Sequence, residues 1–166
     1  MKFHRLHLII EMTHEAKRKD ATMDNWQEAM QSSKSLQGML GNLSFDERPF
    51  KEWARQLMES RHLTRSDVIK KSELNPTFAY QILAGQRRAK RDKLLQLAFA
   101  MDLDIETCCE LLERGGVNAL SPRTRRDAII AYCLAHRMTL GECDEFLYRA
   151  GQQAIRQGYP NIQKSR

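Results

Sequence analysis

The stretch from residue 63 to residue 94 constrains the fold most, because it contains two short helix patterns separated by a tight turn. Thr64 stands at the start of the first pattern, where its hydroxyl can accept a backbone N–H of the first turn. Asn75 can cap a second helix in the same way, and Pro76 fits the first turn, where its missing N–H is not needed. The sequence therefore predicts a second helix that begins at Pro76 and ends before Gly85.

The predicted second helix has an apolar side and a solvent side. Phe78, Ala79, Ile82 and Leu83 recur at helical spacing and are expected in the core. The other side carries Thr77, Tyr80, Gln81 and Ala84. A loop with five positive side chains and one negative follows directly: Gln86, Arg87, Arg88, Ala89, Lys90, Arg91, Asp92 and Lys93.

These features resemble the helix-turn-helix of the Cro and phage-repressor type, the XRE family. The family pattern is Leu-Thr-Gln, an apolar pair, a turn, a recognition helix ending in Ile-x-x-Gly, a basic loop and an apolar helix, and it lies along residues 63–101 without a gap. The resemblance implies an all-α, lambda-repressor-like domain that binds double-stranded DNA, as in transcription regulators of bacterial or phage type. It also implies a homodimer.

The resemblance further implies roles for individual residues. The base-reading positions of the family, which enter the major groove, fall on Pro76, Thr77, Tyr80 and Gln81. The chain departs from the family pattern at Pro76, where a polar residue is common, at Leu83, where Glu is frequent, and at Ala89, where Pro is usual. The position of the basic loop after the recognition helix suits a phosphate clamp. The expected phosphate-binding residues are Arg65, Arg87, Arg88, Lys90 and Arg91.

Composition agrees with a polyanionic partner. The chain has 27 Lys and Arg against 21 Asp and Glu, a net charge of +6 and a pI near 9.3, and phosphate neutralisation supplies much of the affinity for nucleic acid. The 166 residues show almost no strand-like alternation, which indicates an all-helical chain. No stretch is long and apolar enough to predict a membrane span. The four cysteines lack metal-ligand spacing and are expected to be buried thiols of a cytoplasmic protein without metal or cofactor.

The second half of the chain contains an internal repeat. Residues 91–120 align without gaps to residues 126–155, with an offset of 35 residues. The matched pairs include Arg91/Arg126, Asp92/Asp127, Ala100/Ala135, Cys108/Cys143, Glu110/Glu145, Leu112/Leu147, Arg114/Arg149 and Gly116/Gly151. Each copy predicts a helical hairpin, whose second helix begins at Asp104 or at Thr139 and ends at a glycine. We expect the second hairpin to stack beside the first and to extend or replace a dimer surface.

The predicted organisation has four parts. An N-terminal extension over 1–46 contains either one amphipathic helix over 24–39 or a partly disordered arm. The helix-turn-helix domain spans 47–120, the second hairpin 121–158, and a polar tail 159–166.

Two classes of function remain open at this stage, and catalysis is not expected. The sequence contains no P-loop, no GxGxxG, no HExxH and no GxSxG, so we expect no enzyme. The first class is a sequence-specific DNA-binding transcription regulator. The alternative is a protein-interaction module, antitoxin-like or kinase-associated, that uses the same scaffold without DNA, with Phe78, Tyr80 and Ala84 or the segment 121–158 as the contact. RNA binding is a weaker third option, because no known RNA-binding module is visible.

Overall fold

The computed structural model describes residues 23–158, and contacts divide the chain into two compact units between Glu47 and Arg48. All regular secondary structure in the described part is helical, which confirms the expected all-α class. Within the same residues no helix has both the length and the apolar character that crossing a membrane requires. The first 22 residues of the predicted extension and the predicted tail 159–166 lie outside the described residues.

The described part of the first unit, residues 23–47, contains two short helices instead of the single helix considered over 24–39. Helix α1 spans Met23–Ser32 and helix α2 spans Leu36–Asn42. The hydroxyl of Ser35 accepts the backbone N–H of Gly38 at 3.1 Å and thereby starts a new helix. Helix α2 continues through Gly38 and Gly41 and ends at Asn42.

The second unit contains seven helices within the described residues. They are α3 (Phe50–Ser60), α4 (Arg65–Lys71), α5 (Pro76–Leu83), α6 (Arg91–Ala100), α7 (Ile105–Arg114), α8 (Arg125–Ala135) and α9 (Leu140–Arg149). Helix α4 packs against α5 and α6, and α3 packs against α5. Trp53 of α3 is only 4% exposed, so it belongs to the core.

The sequence signals that start and stop α4 and α5 act as expected. The hydroxyl of Thr64 accepts the N–H of Asp67 at 3.1 Å, and the side-chain oxygen of Asn75 accepts the N–H of Phe78 at 3.1 Å. Helix α5 ends at Leu83, and Gly85 follows with a φ of 69°. A left-handed residue of this kind ends a helix at little cost only when it is glycine.

The turn between α4 and α5 depends on one buried hydroxyl and one strained residue. Ser72 is fully buried, donates its hydroxyl to the carbonyl of Ile69 at 2.8 Å and accepts the N–H of Leu74 at 3.3 Å. Glu73 then takes a φ of 56°, a conformation that costs a side-chain-bearing residue free energy. Its carboxylate pairs with Arg156 at 2.9 Å, beyond α9.

Substitutions of Glu73 are expected to separate this strain from the ion pair. Glycine removes a conformational cost of about 1 kcal/mol, whereas the half-exposed ion pair contributes about 0–1 kcal/mol. We therefore expect Glu73→Gly to unfold at a urea concentration no lower than the wild type, and Glu73→Ala to be less stable than Glu73→Gly by about 1 kcal/mol. An alanine variant that is the more stable of the two would show that the turn is not strained.

The two predicted hairpins are confirmed as α6 with α7 and α8 with α9. Asp104 caps α7 by accepting the N–H of Thr107 at 2.8 Å. Thr139 and Glu142 form the predicted capping box at the start of α9. Gly116 and Gly151 follow the two second helices with φ of 76° and 68°, as expected of left-handed caps.

The hairpins are joined by reciprocal ion pairs between equivalent residues. Arg91 pairs with Asp127 at 2.8 Å, and its repeat equivalent Arg126 pairs with Asp92, the equivalent of Asp127, at 2.9 Å. Helix α6 likewise contacts α9, while α7 contacts α8. Contacts of the form i to j and j to i are the mark of a two-fold relation, whereas stacked solenoid units repeat by translation. The hairpins therefore do lie side by side, but as a two-fold related pair.

Candidate nucleic-acid interface

Helix α5 presents a polar face to solvent. Pro76, Thr77 and Tyr80 are exposed and Gln81 is half-buried. The opposite face is closed by buried Ala79, Ile82 and Leu83. The predicted division between the core side and the solvent side of this helix is thus confirmed. The helix can offer a hydroxyl, a phenol and an amide to a partner that approaches from solvent.

Two arginines are held against aromatic rings of α5. The guanidinium carbon of Arg65, at the start of α4, lies 5.1 Å from the centre of the Tyr80 ring. That of Arg87, in the basic loop, lies 4.9 Å from the centre of the Phe78 ring. Contacts of this kind are worth about 0.5–1 kcal/mol at exposed sites, enough to favour one position of a long side chain. They place positive charge on either side of the exposed face.

The basic loop keeps most of its predicted cations at the surface. Arg87, Arg88 and Lys90 are exposed, whereas Ala89 is half-buried and packs against the core. The loop is anchored by Gly85, since a Cβ there would lie only 3.2 Å from the Cβ of Lys51. Three cations consequently follow α5 on a short, fixed connection.

Arg91 differs from the other predicted phosphate-binding residues. Its guanidinium donates to both carboxylate oxygens of Asp127, at 2.8 and 2.9 Å, and to the carbonyls of Asn118 and Ala119 at 2.9 and 3.2 Å. These bonds occupy the Nε, Nη1 and Nη2 donors of the Arg91 guanidinium. Arg91 therefore links the two hairpins and is not part of the candidate interface. Arg91 is matched by Arg126 in the sequence repeat, and this match is the signal that could have indicated a structural role.

The carboxylate of Asp127 stays charged in this arrangement. Burial raises its pKa, but the hydrogen bonds from Arg91 and from the backbone N–H of Ser121 outweigh burial, so the pKa lies below the usual range. The ion pair between the hairpins is therefore complete at neutral pH and weakens only in acid, as the pH falls through this lowered pKa.

Three of the four cysteines lie inside the helical core. Cys108, Cys133 and Cys143 are buried and Cys109 is partly buried, which largely confirms the expectation of buried thiols. Burial raises the pKa of Cys108 to about 12 and raises the pKa of Cys143 as well. Among residues 23–158, no group of three or more His, Cys, Asp or Glu side chains could hold a metal ion.

No family model matches this chain, and neither a curated protein nor a solved structure matches it. The class of protein has to be inferred from α5, its flanking arginines and the loop that follows. An exposed helix with hydrogen-bonding side chains, bordered by cations, can meet base edges with its face and phosphates with its borders. This combination is typical of a helix that enters a DNA groove.

Proposed function

We propose that this chain is a sequence-specific DNA-binding regulator with a lambda-repressor-like helix-turn-helix, similar to the XRE family, and that α5 is its recognition helix. The observation that supports this most is the position of Arg65 and Arg87, stacked on Tyr80 and Phe78 at the two borders of the polar face. As a regulator of bacterial or phage type it would act in the cytoplasm as a homodimer. A net charge of +6 suits the polyanionic partner.

The dimensions and chemistry of α5 fit the major groove. An α-helix with its side chains is about 10–12 Å in diameter, and the major groove is about 12 Å wide. Thr77 and Gln81 are separated by one helical turn and face the same way. The Gln81 amide can both donate to and accept from adenine, and the Thr77 hydroxyl suits several base edges. Tyr80 adds a hydroxyl or an apolar contact to a thymine methyl, and Pro76 offers packing alone.

The flanking cations would bind the phosphates on each side of the groove. Arg65 lies at the first turn of α4, which precedes the recognition helix, and Arg87 and Arg88 follow the recognition helix directly. Lys90 completes the set at the entrance of α6. Phosphate contacts of this kind set the orientation and register of the helix but carry no sequence information.

Salt dependence tests the phosphate contacts. Each phosphate neutralised by the protein adds about 0.9 to the slope of log affinity against log salt. We expect Arg87→Ala and Arg88→Ala each to lower that slope by about 1, as measured by titration of a labelled duplex. Arg123→Ala removes an exposed arginine of the linker before α8 and should leave the slope unchanged. Equal slopes for Arg87→Ala and the wild type would remove Arg87 from the interface.

A protein-interaction function has one specific observation in its favour. Tyr80 is 46% exposed, and Phe78 and Ala84 beside it are only half-buried, which makes an aromatic anchor of the kind found at protein interfaces. In that case the chain would be an adaptor, antitoxin-like or kinase-associated. An apolar interface weakens little as salt rises, so the same titration with a protein partner separates the two functions.

A further inference from the structure

A cleft of about 230 Å³ lies between the start of α3, the basic loop and the end of α7. Its apolar lining is made by Ile82 and Leu94, which are 2% and 1% exposed, and by the half-buried Phe50 and Ala89. The volume exceeds the roughly 150 Å³ of a cavity that holds benzene, and it is smaller than the site of a drug-sized molecule. The cleft therefore has room for one aromatic ring and one small polar group.

Glycines form one side of the cleft, at the end of α7. A Cβ at Gly115 would overlap the side chain of Leu94, so α6 and α7 approach this closely only because the residue is glycine. Gly116 is exposed, and a Cβ there would meet no described atom within 4 Å. The backbone on this side carries no side chain that covers the cleft, which leaves the cleft accessible from solvent.

The charge around the cleft is positive. Among the described residues that line it, three are arginines and none is acidic. Arg114 is already engaged, since its guanidinium pairs with Glu110 at 2.8 Å and lies over the ring of Trp53. Arg87 and Arg88 are exposed and have no carboxylate partner within residues 23–158. An anion at the mouth of the cleft would therefore meet two positive charges that no acidic side chain offsets.

The end of α7 beside the cleft does little to repel an anion. The last carbonyls of a helix carry partial negative charge when they have no hydrogen-bond donor. Here three carbonyls of the last turn accept the N–H groups of Gly115, Gly116 and Val117, at 3.0, 2.9 and 3.0 Å. The arginines are consequently the main charges that an incoming ligand meets.

We propose that this cleft binds a small aromatic carboxylate. The ring lies on Ile82, Leu94 and Phe50, and the carboxylate at the mouth accepts hydrogen bonds from Arg87 and Arg88, whose planar guanidinium groups match a carboxylate. Guanidinium groups of this chain already stack on three of its own aromatic rings, so a flat aromatic body suits the same side chains. A DNA phosphate would use the arginines but would leave the apolar lining of the cleft empty. The site itself does not depend on DNA binding.

Titration of the isotope-labelled full chain with benzoate, followed by the amide signals of its glycines, tests the site without DNA. We expect the signals of Gly85, Gly115 and Gly116 to shift, with a dissociation constant of about 1 mM for so small a ligand. Gly151 is the repeat equivalent of Gly116 and follows α9 as Gly116 follows α7, so its unchanged signal is the internal control. Benzyl alcohol lacks the charge and acetate lacks the ring, so each should bind at least about 10-fold more weakly.

Two variants separate the charge of the cleft from its shape. Arg88→Gln removes one positive charge and should weaken benzoate binding by about 5- to 10-fold. Arg123→Gln is the matched control, because it changes an exposed arginine of the linker before α8 and should have no effect. Ala89→Leu fills part of the cleft at constant charge and should weaken benzoate binding by about 10-fold or more. If Ala89→Leu unfolds, Arg88→Gln still decides, because Arg88 is exposed.

Occupation of the cleft has a consequence for DNA that rests on the proposed function. Arg87 and Arg88 are also expected to bind phosphates, so the carboxylate and the duplex compete for the same charges. By linkage, each ligand lowers the affinity of the other by the same factor, which we expect to be about 5-fold. A duplex titration in sodium benzoate, compared with the same concentration of sodium chloride, separates this competition from the effect of ionic strength.

Several results would overturn the carboxylate site. They are benzoate that shifts none of the three glycine signals up to about 20 mM, an equal shift of Gly151, and acetate or benzyl alcohol that binds as tightly as benzoate. Unchanged benzoate affinity in Arg88→Gln would likewise place the ligand elsewhere. If benzoate binds the cleft but leaves the duplex affinity unchanged, the competition is wrong. If the chain binds no DNA, the proposed function fails, and the glycine signals still decide the site.

Discussion

Asp144→Ala is expected to lower the free energy of unfolding by about 3 kcal/mol, because its buried carboxylate accepts hydrogen bonds from two residues of the segment after α9. The side chain is fully buried, and Oδ1 accepts the N–H of Ile155 at 2.6 Å. Oδ2 accepts the Nε of Arg156 at 2.7 Å. Alanine would leave both donors without this acceptor and would open a cavity in the core. It would also release Arg156, which pairs with Glu73 in the turn before α5.

Urea unfolding followed by circular dichroism measures this effect. Asp144→Asn keeps one acceptor oxygen at the site and should lose less than alanine does. Glu106→Ala changes an exposed acidic residue of α7 and should shift the free energy of unfolding by no more than about 0.5 kcal/mol. If Asp144→Ala were as stable as Glu106→Ala, the carboxylate would not hold the segment after α9 to the core.

The double variant Thr77→Ala, Gln81→Ala is expected to lower the affinity for the preferred duplex on the order of 100-fold or more. A bidentate contact between a side chain and a base edge discriminates by about 1–3 kcal/mol, and the variant removes both base-edge candidates of α5. Binding to an unrelated duplex should change little, since Arg65, Arg87, Arg88 and Lys90 keep their phosphate contacts.

Fluorescence anisotropy with labelled duplexes measures both affinities. Gln153→Ala removes an exposed glutamine far along the chain from α5 and serves as the matched control. Thr77 and Gln81 lie on the face away from the core, so the double variant should unfold at the same urea concentration as the wild type. An equal loss of affinity for every duplex would mean that these residues support binding without reading sequence.

Local signals predicted the helices well because caps act over three or four residues. Thr64, Asn75, Asp104 and Thr139 each accept an N–H from the first turn of the helix they were expected to start. The exception lies in the first unit. There the hydroxyl of Ser35 starts a helix, and the glycines that follow do not end it, because an early cap can offset the weak helix preference of glycine.

Contacts between distant residues were harder to predict. The sequence places Arg91 in the predicted basic loop with the same composition signal as Arg88. In the structure Arg91 begins α6 and lies against Asp127, 36 positions along the chain. The stacking of Arg65 on Tyr80 likewise depends on the angle between α4 and α5, which the spacing of residues does not specify. A pattern of charges shows which residues can pair, whereas the packing of helices selects which of them do.

The second hairpin shows a further limit of periodicity. Tyr132 and Phe146 fall on the same repeat positions as Leu97 and Leu111, so the hydrophobic pattern marks all four as core. Only Leu97 and Leu111 are covered in the described part of the chain. An apolar pattern marks positions that suit a core, and the packing of the neighbouring helices decides which of them are covered.

Selection of bound sequences from random duplex DNA, at two salt concentrations, tests the proposed function most directly. The wild type should enrich one palindromic or repeated site at both salt concentrations, with half-sites about one helical turn apart. The Thr77→Ala, Gln81→Ala variant, run in parallel, should lose that enrichment. If the wild type enriches nothing, or the variant enriches the same site as strongly, α5 does not read DNA and the regulator proposal is wrong.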